Sequence, residues 1–361
     1  MIYPLSTTEL CKLLITQWRE SLVLTNLEKS QLKHELSSLD KQIDRLSNKK
    51  LRVSVFGRVG VGKSSLLNAL LNKNTFITDI AHGSTRNSQS TLWNQPIEKL
   101  TSIELIDTPG IDEIDKGRRI EQTSDICYKS DLILFVIDGD LTSIELEALQ
   151  SLIHNGKPIC LILNRCDQWQ SSEIKQLQTS IRKRLPLQSK NLPLIAISAA
   201  PRKSQVLPTG QVRSVPSSPR IQPLRVLLKN LLKEQGEFFL SLNSLYAADN
   251  FYTCLKEGRL KRGKLAAQGV IGKFAALKAS GVAACPILMI DLTAGLACDT
   301  ALVIELSKIY GLQLRGPAAR ELLKRLSLYN ILLGGAQFSI QFCLSILRHI
   351  LLIASPFTGG L

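Results

Sequence analysis

Residues 57–64 read Gly57-Arg58-Val59-Gly60-Val61-Gly62-Lys63-Ser64, which fits the spacing G-x-x-x-x-G-K-[ST]. An apolar run precedes them and a helical pattern follows, the setting in which this spacing binds phosphate. Glycine lets the backbone wrap closely around an anion, so the amides of Gly57, Gly60, Val61, Gly62 and Ser65 can face phosphate oxygens at a helix N-terminus. Lys63 would reach the β- and γ-phosphates, and the Ser64 hydroxyl would ligate Mg²⁺. The competing reading is a strand–helix turn that merely tolerates glycine.

Four further clusters follow in order. Asp107-Thr108-Pro109-Gly110 closes an apolar run; Asp107 at a strand's carboxyl end can face a metal, and Gly110 can turn its amide toward a γ-phosphate. Asn164-Arg165-Cys166-Asp167 closes another run. A carboxylate at Asp167 accepts two hydrogen bonds from guanine that adenine cannot offer, Asn164 would steady the loop, and the Arg165 stem can lie on the base. Ser198-Ala199 suits backbone contacts to the guanine carbonyl. In the polar loop His82–Asn87, Thr85 is the candidate to complete the Mg²⁺ shell. Lys63, Thr85 and Gly110 thus form the expected catalytic set, and Ser64, Thr85 and Asp107 the metal set.

These clusters need strands to carry them. Strands are expected at Leu51–Phe56, Ser90–Trp93, Ile103–Ile106, Leu132–Ile137, Ile159–Leu163 and Leu194–Ile197, with helices near Ser64–Leu71, Arg118–Tyr128, Ser143–His154 and Ser172–Leu185. That alternation predicts an α/β fold with a mostly parallel sheet and helices on both faces. Upstream, residues 6–49 read as uninterrupted helix opened by a Ser6/Glu9 capping box. Leu32, Leu36, Leu39, Ile43 and Leu46 mark either a dimerising seam or, on the favoured reading, a face laid on the next domain. Residues 200–223, rich in Pro, Ser and Lys/Arg, read as a mobile basic insertion before a last helix at Leu224–Glu234.

Hydrophobic residues make up 44% and charged residues 21%, which excludes wholesale disorder. A net charge of +15 predicts an anionic partner, nucleic acid or membrane surface, and residues 241–361 hold 13 Lys/Arg against 6 Asp/Glu. Eight cysteines without a C-x-x-C pair fit reduced, buried thiols. No basic-then-apolar leader opens the chain, so a cleaved signal peptide is not expected.

Taken together, the five clusters resemble the Era/TrmE-like family of the translation-factor-like GTPases over residues 50–235. The resemblance implies a six-stranded Ras-like fold, bound GTP or GDP with Mg²⁺, and slow hydrolysis that switches conformation. It assigns phosphate binding to Gly57, Gly60, Gly62 and Lys63, Mg²⁺ to Ser64 and Thr85, switch sensing to Asp107 and Gly110, and base recognition to Asn164, Arg165, Asp167, Ser198 and Ala199. Gly60 stands where potassium-stimulated relatives carry Asn, which puts potassium activation in doubt. Arg165 replaces the usual Lys, and Ile111 occupies the place of a water-orienting Gln. Arg58, Arg86, Arg118, Arg119 or a partner could supply the missing charge.

Residues 326–347 contain no charged side chain between Arg325 and Arg348, and at 22 residues they are long enough to cross a bilayer. Asn330, Gly334, Gln337, Gln341 and Ser345 share one face, as in a packed helix seam. The basic run Lys256, Arg259, Lys261, Arg262 and Lys264 suits either anionic headgroups or plain solvent. Cys285-Pro286, Asp291, Ile309-Tyr310-Gly311 and Gly334-Gly335 resemble an uncharacterised domain that follows Era-like domains in some bacterial, notably cyanobacterial, proteins. That resemblance implies association with an inner or thylakoid membrane, and its members usually continue past Leu361, which leaves open that the chain is a fragment. The expected organisation is a helical segment at 1–49, a GTPase domain at 50–236 and an apolar helical domain at 237–361. The expected partners are GTP and anionic lipid or a membrane protein at the cytoplasmic face, with a homodimer open and nucleic acid ranked behind. A soluble ribosome-assembly GTPase and a GTP-binding scaffold without turnover stand as alternatives.

Overall fold

Strands β1 (Lys50–Phe56), β2 (Gln89–Trp93), β3 (Ser102–Asp107), β4 (Leu132–Ile137), β5 (Ile159–Leu163) and β6 (Leu194–Ala196) form one sheet in the order β2-β3-β1-β4-β5-β6. Only β2 runs antiparallel to its neighbour, pairing Gln89 with Asp107 through Trp93 with Ile103. These strands belong to a computed structural model that describes residues 6–76, 88–113, 129–206, 211–284, 288–312, 314 and 316–332. It divides into two units, one of Met1–Ser21 with Ser37–Ala248, the other of Leu22–Leu36 with Asp249–Leu361.

In the first unit both sheet faces are covered, which is why β4 and β5 are buried along their whole length. Alternate residues serve opposite cores. Leu132, Leu134 and Val136 pack with Leu66 and Leu70 of α4 (Lys63–Leu71), and with Leu224, Leu228 and Leu232 of α7 (Gln222–Ala284). Ile133, Phe135 and Ile137 pack on the other face with Leu149 and Leu152 of α5 (Ser143–His154) and Ile181 of α6 (Ser171–Arg184). The buried thiol of Cys160 is pushed up to about 12 by loss of water, so it behaves as a small hydrophobe.

At the strands' N-terminal side a buried polar cluster fastens helices to the sheet. Asp131 pairs with Arg45 of α3 (Lys33–Ser47) at 2.8 Å and accepts from the Arg52 amide and from Asn243 of α7, each at 2.8 Å. Lys157 meets Asn243 and lies 5.3 Å above the Tyr246 ring.

Three expectations change. Residues 6–49 are α1 (Thr7–Ser21), α2 (Asn26–Gln31) and α3 instead of one helix. The run breaks after Ser21 and again at Leu32; between them Thr25, extended in backbone, starts α2 by closing a capping box with Glu28. The expected box at Ser6 and Glu9 does form. Residues 200–223 hold a hairpin, β7 (Arg202–Val206) paired with β8 (Val212–Pro216). The helix expected at Leu224–Glu234 is the start of the 63-residue α7. Of the proposed seam, Leu39 and Leu46 are buried and Ile43 packs on the core, as a face laid on its own domain would be.

In the second unit Glu28 is clamped by Arg259 at 2.7 Å and Arg262 at 2.9 Å. Two of the five cations of the basic run are therefore paired with a carboxylate within the unit, while Lys261 and Lys264 are exposed. Helix α8 (Leu288–Ile309) ends at Tyr310, fully buried, and at Gly311 in the left-handed region, φ 71°. Gly263 admits the Tyr310 ring, which a Cβ there would meet at 2.7 Å. Helix α9 (Gly316–Leu332) packs on α8 through Val303, Ala319 and Leu322. Among the described residues no helix is long and apolar enough to cross a membrane. Most of 326–347, with Cys285-Pro286 and Gly334-Gly335, lies outside the described residues, as does the helix expected at Arg118–Tyr128.

Candidate nucleotide site

Strand order reverses around β1, between β3 and β4, and the loops leaving the carboxyl ends of β1, β3 and β5 converge beside it. The loop after β1 turns into α4 at Gly62, whose φ of 93° favours glycine. Space agrees, because a Cβ there would lie 2.4 Å from Asn164 Nδ2. Lys63 is buried, and its Nζ donates to the Gly57 carbonyl at 3.0 Å and the Arg58 carbonyl at 2.8 Å. Its ammonium is thereby held against the loop backbone that phosphates would face.

Ser64 Oγ donates to Asp107 Oδ2 at 2.5 Å, while Asp107 Oδ1 is buried with no hydrogen-bond partner. Burial pushes the Asp107 carboxyl up, and the Ser64 hydroxyl and Lys63 charge pull it partly back. A buried carboxylate with an unused oxygen beside a hydroxyl is a hard-oxygen donor set, and Mg²⁺ fits it. Ser65 is half-buried on α4. Thr85, the third expected metal residue, lies outside the described residues.

After β3, Gly110 sits so close to the phosphate loop that a Cβ would fall 2.3 Å from Val59 Cγ2. Asp112 Oδ1 accepts the Val59 amide at 2.7 Å. The Ile111 side chain is fully buried in the core beside Phe56 and Phe135, so it cannot orient water.

The loop after β5 is built on Asn164, whose Nδ2 donates to the Val61 carbonyl at 2.8 Å and whose Oδ1 accepts the Ala199 amide at 2.9 Å. One side chain thus ties three loops together. Arg165 takes the left-handed region, φ 59°, donates to the Gly60 carbonyl and lies 3.6 Å from Asp138. Asp167 stays partly exposed and accepts the Arg202 amide at 3.4 Å. Ser198 and Ala199 are buried, and Ser198 exchanges backbone hydrogen bonds with Arg220 at 3.1 and 2.8 Å. Those bonds close the root of the β7–β8 hairpin.

All the expected site residues within the described residues gather here. Among the candidate charge suppliers, Arg58 is engaged by Glu145 at 2.8 Å and Asp138 at 3.1 Å. Arg86, Arg118 and Arg119 lie outside the described residues. Asp112, Asp138 and Glu145 were not singled out in the sequence. No spacing marks them, because their partners are 53, 80 and 87 residues away.

Residues 52–165 match the family described as 50S ribosome-binding GTPase. The chain carries a P-loop GTPase domain. It is similar to GTPase Der of Buchnera aphidicola subsp. Acyrthosiphon pisum (strain Tuc7), 34% identical over 145 residues that cover 37% of this chain and 31% of Der. It is also similar to the tRNA modification GTPase MnmE of Thermoanaerobacter sp. (strain X514), 35% identical over 139 residues covering 37% of this chain and 29% of MnmE. The chain thus spans about a third of the length of the curated relatives it matches. Among solved structures, an Aquifex aeolicus Era variant bound to GDP and aluminium fluoride is 28% identical with a TM-score of 0.40, covering 51% of this chain and 56% of that one. Residues 246–356 match a domain of unknown function, DUF697. The GTPase domain is therefore joined in one chain to an uncharacterised helical region, as the two resemblances in the sequence implied.

Proposed function

We propose that this chain is a GTP-binding switch that hydrolyses GTP to GDP and phosphate slowly and works at the cytoplasmic face of a membrane. The observation that carries the nucleotide reading is Asn164, which bonds the base loop to the phosphate loop and to Ala199 at once. Guanine selection falls to Asp167 and phosphate binding to Lys63 with the loop amides. Ser64, Asp107 and Thr85 would hold Mg²⁺, which when bound neutralises charge on the phosphates. Slow turnover is supported by the buried Ile111 and the paired Arg58. Membrane work is supported by the uncharged stretch 326–347 and by the excess of Lys/Arg past residue 240.

Fluorescent GDP titration of the full chain, with Lys63→Ala as control, tests binding. Single-turnover phosphate release tests hydrolysis, and background release from both proteins would leave a GTP-binding scaffold. Flotation with phosphatidylserine-containing vesicles, with a GTP analogue, GDP or no nucleotide, tests lipid association and switching together. A second reading, ribosome or RNA binding, is favoured by the net charge of +15 and by the matched family's description. Recovery wholly with ribosomes, released by salt, would replace the membrane reading with that one.

A further inference from the structure

Asp138 follows β4 and touches both loops on which the nucleotide reading rests. Its Oδ1 accepts from Arg58 Nη2 of the phosphate loop at 3.1 Å, and its Oδ2 lies 3.6 Å from Arg165 Nη1 of the base loop. Each carboxylate oxygen therefore serves a different arginine. Neither arginine is loose at its other end. Arg58 Nε donates to Glu145, whose second oxygen accepts the Thr142 amide at 2.9 Å and hydroxyl at 2.7 Å in a helix-capping box. Arg165 donates to the Gly60 carbonyl, back in the phosphate loop.

We infer that Asp138 is a positioning residue that sets the phosphate and base loops in register through Arg58 and Arg165. The inference rests on the guanine-nucleotide reading above. Its side chain is about a quarter exposed, which weakens each pair by solvent screening, yet one carboxylate shared by two guanidinium groups restrains both loops together. Asparagine at this position keeps the shape but removes the charge. It also turns one acceptor into an NH₂ facing an arginine, so one of the two pairings must be lost.

The test is fluorescent GDP affinity of the full chain carrying Asp138→Asn, Arg165→Gln, Arg58→Gln and the pairwise doubles. Asp138→Asn is expected to raise the GDP Kd about tenfold. In the Arg165→Gln background the same change should cost less than about threefold, because its route to the base loop is already gone. A merely structural role would lower thermal stability without that non-additivity. Should Asp138→Asn fail to fold, the Arg58→Gln and Arg165→Gln cycle decides: losses that are less than additive support the shared carboxylate, and additive losses overturn it. A wild-type chain that binds GDP while Asp138→Asn loses less than about twofold overturns the inference alone. A wild-type chain that binds no guanine nucleotide overturns the reading beneath it as well.

Discussion

Asn164 donates to the Val61 carbonyl at 2.8 Å across 103 residues of chain, so a residue of the loop after β5 braces the loop after β1. Asn164→Ala would strand the Val61 carbonyl and the Ala199 amide, both in buried surroundings. Leaving buried polar groups unpaired costs about 1–3 kcal/mol each, so a stability loss of about 2–6 kcal/mol is expected in urea denaturation. The GDP Kd should rise in parallel; a variant with wild-type stability and affinity would show that the two loops are held by other means.

Asp167→Asn should exchange base preference. The carboxylate offers two acceptors to guanine's N1–H and exocyclic amine, whereas an amide presents one donor that suits the 2-oxo group of xanthine. GDP affinity is expected to fall about a hundredfold or more, with xanthosine diphosphate binding better than GDP. Competition between the two nucleotides against a fluorescent probe reads this directly.

Asp131→Ala should be among the most damaging single changes in the first unit. Arg45 loses its buried counter-charge, and the Arg52 amide and Asn243 lose an acceptor. Burial lowers the pKa of Arg45 and the Asp131 charge works against that effect, so removing the carboxylate leaves a buried guanidinium without its counter-charge. Breaking a buried pair from one side costs about 3–5 kcal/mol, measurable by thermal or urea unfolding. A loss under about 1 kcal/mol would mean that water replaces the carboxylate.

Acid should loosen the second unit through Glu28. Burial alone would raise its carboxyl, but Arg259, the Thr25 amide and Arg262 outweigh that and hold it at about 2, below its ordinary 4.5. A carboxyl depressed in the folded state contributes fully above the unfolded value and loses that contribution as pH falls from about 4.5 toward 2, by about 3 kcal/mol in all. Hydrogen exchange of α2 amides followed over this range should show the loss, and Glu28→Gln should flatten it.

What was legible in the sequence is chemical and local. Gly57 through Ser64, Asp107 with Gly110, and Asn164 with Asp167 stand out because their residue types and spacing suit phosphate, metal and guanine, and each sits at the end of an apolar run that β1, β3 and β5 then occupy. The T-x-x-E box at Thr25 and Glu28 is also a local signal, but the absence of Gly and Pro made 6–49 read as one helix and hid the start of α2 that it marks. The hairpin at 202–216 was hidden by its prolines and serines, because pairing of two short polar strands depends on their meeting each other. Only the tertiary structure decided that Arg58 is spoken for by Glu145 and Asp138, that Arg259 and Arg262 serve Glu28, and that Asn164 reaches the phosphate loop. Those are through-space pairings of charges and amides far apart in the chain. Periodicity and motif spacing carry no information about them, whereas the converging ends of parallel strands place them within hydrogen-bond reach.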